Sequence, residues 1–157
     1  MADHVFISYA HADGAFALPL AEKLRQRGVR VWIDERGVQA GAHWRRTIED
    51  AVYGCAQFLI VLSPAAVASD EVQGELQAAL NEKKPILPVY HQECRVPLPL
   101  LSIQYVDYRA RSVDDEQALQ ELFRQLGDQL AAVLIEGIPA NSGLLVQRPE
   151  YMRLLRE

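Results

Sequence analysis

The chain has 157 residues, half of them hydrophobic and 24% charged, with a formal net charge of -5. That length suits one domain able to bury its own core, and the near-average composition excludes wholesale disorder and collagen-like repetition. The acidic balance without a basic stripe argues against a nucleic-acid surface; no apolar run approaches the roughly 18 residues of a membrane span, so a cytoplasmic protein bound to neither nucleic acid nor membrane is expected.

The first strand signal is "HVFISY" (4–9), a β-branched and aromatic run. Phe16, Leu20 and Leu24 then recur every four residues with Gly28 as a stop, which predicts a helix. "VRVWID" (29–34) is the second strand, and Trp44, Ile48 and Val52 repeat the helical spacing before the third, "FLIVLS" (58–63). In "SDEVQGELQAAL" (69–80) Val72, Leu76, Ala79 and Leu80 make the apolar stripe of a helix, and Glu75 lies at the edge of that stripe. "PILPVY" (85–90) and "IQYVDY" (103–108) complete five strands. A last amphipathic helix follows, with Leu119, Leu122, Phe123, Leu126, Leu130, Val133 and Leu134 on one face.

Strands alternating with helices imply right-handed crossovers and an α/β fold: a flavodoxin-like five-stranded parallel sheet with helices on both faces. The expected order is 2-1-3-4-5, with ligands bound at the switch point between strands 1 and 3, outside their carboxyl ends. From Gly137 the texture changes to "GIPANSGLLVQRPEYMRLLRE". The reading is therefore one domain over 1–136, with 137–157 a linker, a tail or the start of a following domain.

Several chemistries are absent. No G-x-G-x-x-G follows the first strand and no P-loop is present, since "GVQAG" (37–41) has the wrong spacing and no lysine. A phosphoacceptor aspartate is missing from the end of strand 3, where Ser63 stands. The four histidines form no HExxH, and Cys55 and Cys94 follow no ligand spacing, so no metal is expected; Cys55 reads as a small core residue.

What converges on the switch point is Ser8, Tyr9, Ala10 and His11 from strand 1, Ser63 from strand 3, and Ser69, Glu71 and Glu75 from the helix beyond. The loop 34–43 can fold over them. A lone carboxylate there suits the stabilisation of an oxocarbenium-like sugar or the holding of its hydroxyls. The bland alternative for Glu75 is a surface carboxylate favoured by the positive end of the helix dipole. Glu71, one turn earlier, adds a like-charge repulsion of about 0.2–0.5 kcal/mol, which would raise one carboxylate's pKa. Ser69 serves equally well as an N-cap; Trp44 reads also as a core anchor, Tyr9 and Ser63 as strand ends, His11 as a turn residue.

Taken together, "HVFISYAHAD", "VWIDERGVQAGAHWRRTIEDAV", "FLIVLSPAAVASDEVQGELQAAL" and "KPILPVY" resemble a Toll/interleukin-receptor (TIR) domain over about residues 3–135. "FISY" matches the strand-1 box, 34–43 matches the BB loop, and Gly41 and Trp44 match its glycine and following aromatic. The resemblance implies a TIR fold and makes Glu75, the glutamate of an S-x-W-C-x-x-E pattern, the catalytic residue of an NAD-cleaving enzyme. It implies substrate contacts at Ala10 and His11 and, within the BB loop, at Gln39. The pattern's aromatic and cysteine are Glu71 and Val72 here, leaving any stacking platform to Trp44 or Tyr9, and the prolyl-glycine of receptor-adaptor loops is Ala40 and Gly41.

The expectation is a bacterial immune or cell-death TIR domain that releases nicotinamide from NAD+. NAD+ is its substrate and no cofactor is needed. Expected partners are other TIR domains, by self-association, and a following sensor or NTPase domain. The alternative is a non-catalytic TIR–TIR scaffold; a third reading is a TIR enzyme that joins nucleotides into a signal.

Overall fold

The computed structural model describes residues 4–35 and 42–136, with side chains described through residue 127 apart from those of 42–45. Strands β1 (Val5–Ser8), β2 (Val31–Ile33), β3 (Gln57–Leu62), β4 (Ile86–Tyr90) and β5 (Val106–Asp107) form one parallel sheet. Its order is β2-β1-β3-β4-β5, as the alternation of elements implies. The helices are α1 (Gly14–Gln26), α2 (Ala42–Gly54), α3 (Pro64–Ala68), α4 (Asp70–Asn81) and α5 (Glu116–Glu136).

Side chains alternate across each strand, and that alternation divides the core in two. Val5, Ile7, Leu59, Val61, Leu87 and Val89 face α1 and α5, where they meet Phe16, Leu20, Leu24, Leu119, Leu122 and Leu126. Phe6, Phe58, Ile60, Leu62 and Ile86 face the other way, onto Val52 of α2, Ala66 of α3 and Val72, Leu76 and Ala79 of α4. The β3 side chains are buried on both faces, which is why that strand reads as an unbroken apolar run. Cys55 is fully buried as a small core residue.

Helix ends follow local chemistry. Gly28, at φ +86°, sits past the end of α1, with Gly28 N–H on the Arg25 carbonyl and Val29 N–H on that of Leu24. Three features depart from the sequence reading. Before Ser69 lies the separate short helix α3, capped by Ser63 with proline in its first turn. The β4–β5 connection carries only a 3₁₀ turn at Leu98–Leu100, because Pro97 and Pro99 cannot continue a helix. β5 is also shorter than "IQYVDY", pairing only at Val106 and Asp107.

Candidate active site

Ser8 closes β1 and shares the face of Phe6, so its side chain points to the layer that holds α4. α4 packs on β1 through the stripe of Val72, Leu76 and Ala79. Glu75, beside Leu76, is thereby carried to the sheet edge and half-buried there. Ser8 Oγ donates a 2.6 Å hydrogen bond to Glu75 Oε2. The serine is 1% exposed, so the carboxylate's partner is screened from water.

Burial is the main reason the Glu75 carboxyl is pushed up to about 7. The Ser8 hydroxyl opposes that shift by bonding the ionised form, while the Glu71 and Asp34 carboxylates reinforce it. A group poised this way exists in both protonation states near neutrality, which suits a residue that meets developing positive charge.

Tyr9 OH donates to the Asp34 carbonyl at 2.5 Å, pinning the chain that leaves β2 to the end of β1. Burial and the carboxylates of Asp34, Glu35 and Glu75 raise the Tyr9 phenol above its ordinary range, so it remains a donor. His11 is exposed and stands edge-on to the Tyr9 ring, with centroids 6.1 Å apart. Ala10 is buried and its carbonyl accepts the Asp13 N–H at 2.8 Å. Glu71 lies exposed one turn before Glu75.

Two of the expected contacts are placed differently. Ser63 continues the parity of Leu59 and Val61 and turns away from Glu75. It is fully buried, its Oγ donates to Asp13 Oδ2 at 2.5 Å and accepts the Ala66 N–H at 3.0 Å. Ser69 caps α4, its Oγ accepting the Val72 N–H at 3.3 Å, as its alternative role foresaw. Gln39 and the Trp44 side chain lie outside what the structure describes. Asp13 and Asp34 were missed by the sequence reading. A lone "D" two residues past "AH" and another closing a strand carry no periodic signal, and only proximity reveals them.

Among the described residues no group of three or more His, Cys, Asp or Glu side chains could hold a metal ion. An apolar groove of about 100 Å³, lined by Leu62, Pro88, Tyr90, Leu100 and Tyr105, holds none of the carboxylates around Glu75. No helix of the described residues is long and apolar enough to cross a membrane.

A doubly wound parallel sheet with a half-buried carboxylate beside its switch point defines the class: a flavodoxin-like α/β domain. The chain belongs to the TIR-domain family, whose profile matches residues 5–123. It is 39% identical over 92 residues to the NAD(+) hydrolase TcpA of a Theionarchaea archaeon, covering 55% of this chain and 28% of that protein. It is 31% identical over 129 residues to the 2′ cyclic ADP-D-ribose synthase AbTIR of Acinetobacter baumannii, covering 79% of this chain and 48% of that protein. The chain thus spans less than half the length of either relative. Its fold is similar to the TIR domain of the Toll-related receptor TRR-2 from Hydra magnipapillata, with a TM-score of 0.66 at 24% identity, covering 83% of this chain and 99% of that one.

Proposed function

We propose that this domain cleaves the nicotinamide–ribose bond of NAD+, with Glu75 as the catalytic residue. The observation that carries the reading is the half-buried Glu75 carboxylate held by Ser8 at the carboxyl end of β1. The names of the two relatives, an NAD(+) hydrolase and a cyclic ADP-ribose synthase, support the same substrate. As the bond from C1′ to the pyridinium nitrogen breaks, its electron pair leaves with nicotinamide and positive charge develops on the ribose. An ionised Glu75 stabilises that charge and holds the ribose hydroxyls. Water then adds at C1′ and loses a proton to give ADP-ribose, or another nucleophile of the same molecule adds to give a cyclic product. The step draws on no metal and no cofactor beyond the substrate.

Tyr9 and Glu71, which lie close enough to Glu75 to act on it electrostatically, and Ala10 and His11, which follow Tyr9, are the groups we assign to substrate contact, with Gln39 and Trp44 completing the set by family resemblance. We assign the domain to residues 1–136, and its setting to the cytoplasm of a bacterium, in immune defence or cell death. Both described cysteines are free thiols, which suits a reducing compartment. Assembly with other TIR domains would raise activity by favouring the competent site conformation, so the initial rate per mole of protein should rise with concentration. A flat rate from a monomer would rule that out.

The deciding experiment incubates the purified chain with NAD+ and resolves the products. Nicotinamide release that disappears in Glu75→Gln, while the variant still melts cooperatively, is the expected result. A variant keeping more than about a tenth of wild-type kcat/KM, a loss under about 1.4 kcal/mol, would remove Glu75 from catalysis.

A further inference from the structure

Asp13 is an ionisable side chain only 3% exposed, and nothing in the chemistry above uses it. Its Oδ2 accepts the Ser63 hydroxyl at 2.5 Å. Ser63 in turn caps α3 by accepting the Ala66 N–H. A single hydroxyl therefore ties the start of α1, on one side of the sheet, to the N-terminus of α3, on the other.

From α3 the constraint passes on without slack. Ser69 N–H bonds the Ala66 carbonyl at 3.3 Å, closing α3, while the same residue's side chain caps α4. Gln73 Nε2 reaches back to the Ala66 carbonyl at 3.4 Å. One turn of α4 later, Glu75 returns to Ser8 on β1. The path Asp13, Ser63, α3, α4, Glu75, Ser8 is a closed ring, and both of its ends lie in the short stretch between Ser8 and Asp13.

We propose that Asp13 is a positioning residue for Glu75: by anchoring Ser63 it fixes the α3–α4 pair at the height where the Glu75 carboxylate meets the Ser8 hydroxyl. A hydrogen bond does not survive a displacement of about 1 Å, so a shift of the α3–α4 pair by that much, once Ser63 loses its Asp13 anchor, breaks the Ser8–Glu75 contact. The charged and titratable groups facing Glu75 are Glu71 on α4, Asp34 after β2 and Tyr9 at the end of β1. Those facing Asp13 are His91 and Cys94, beyond β4. Among the described residues that bear on Glu75, the Ser8 hydroxyl is the one that favours its ionised form. Its loss moves the titration of Glu75 upward, a signature that generic loosening of the fold does not share.

The test records the pH titration of the Glu75 side-chain carboxyl by ¹³C NMR in the wild-type chain and in Ser8→Ala, Asp13→Ala, Asp13→Asn and the Ser8→Ala/Asp13→Ala pair. Ser8→Ala and Asp13→Ala should each raise the midpoint by about half a pH unit or more. The pair should rise no further than Ser8→Ala alone, because both changes remove one interaction. Asp13→Asn keeps an oxygen for the Ser63 hydroxyl and should stay near wild type. A folded Asp13→Ala with an unmoved midpoint, or shifts that add in the pair, would overturn the proposal. If Asp13→Ala does not fold, Ser63→Ala takes its place: it must raise the midpoint while Asp13→Asn does not, and any other pattern overturns the idea. The inference concerns the site assigned to NAD+ cleavage, yet the readout is a titration. An inactive wild-type chain would therefore refute the enzymatic reading and leave this test standing.

Discussion

Ser8 and Glu75 lie 67 positions apart in the chain and are joined by a 2.6 Å hydrogen bond at the carboxyl end of β1. The bond favours the ionised glutamate against a burial that disfavours it, and the balance leaves the carboxyl at about 7. If the ionised form is the active one, kcat/KM should fall as pH drops through about 7. In Ser8→Ala the same limb should move to higher pH, because a hydrogen bond that stabilises the anion is gone. Profiles of both proteins between pH 5 and 9 check this, and a coincident acid limb would show that Ser8 does not govern the ionisation.

Glu75 also makes the fold pH-sensitive, and the direction follows from linkage. Its folded pKa lies above the ordinary glutamate value of 4.5, so the folded state holds the proton more tightly than the unfolded one. The stabilising contribution is complete below about 4.5 and is lost as pH rises through about 7. Glu75→Gln removes that loss. The variant should gain on the order of 1 kcal/mol over wild type at pH 8, seen as a higher Tm, and the gain should vanish below about pH 4.

Tyr9→Phe deletes the donor that holds the Asp34 carbonyl. The cost expected for one such bond is about 1 kcal/mol, visible as a lower urea midpoint with an unchanged slope. Because the bond fixes the chain leaving β2 next to the site, KM for NAD+ should rise more than kcat falls. An unaltered KM would confine Tyr9 to stability.

Lys83 follows α4 with φ +54°, a left-handed conformation that most side chains resist and glycine does not. Its N–H bonds the Leu80 carbonyl, and the Lys84 N–H bonds that of Ala79, the pattern of a helix end normally closed by glycine. Lys83 is exposed, so little packing is lost on replacement. Lys83→Gly should stabilise the protein by about 0.5–1 kcal/mol, read from thermal melts, with activity unchanged.

Periodicity was enough to find the five strands and the principal helices of this chain, and to single out Glu75 at the border of the Val72–Leu76–Ala79 stripe. Those signals are local: spacing along one element states which residues share its face. The alternation of apolar strands with helices likewise implied the sheet order, because connections between parallel strands admit few routes. The partition of the site was not local. Ser63 shares its parity with Leu59 and Val61 in the sequence itself, but nothing in the sequence tells which helical layer covers that face. The fold puts Asp13 there, 50 positions away, and puts Ser8 on the opposite face opposite Glu75. α3 escaped notice because five residues show too little of a helical period, although Ser63 and Pro64 mark its start. Tertiary structure decided which polar groups meet, since a hydrogen bond between distant residues depends on register and layer. Neither is a property of any single segment.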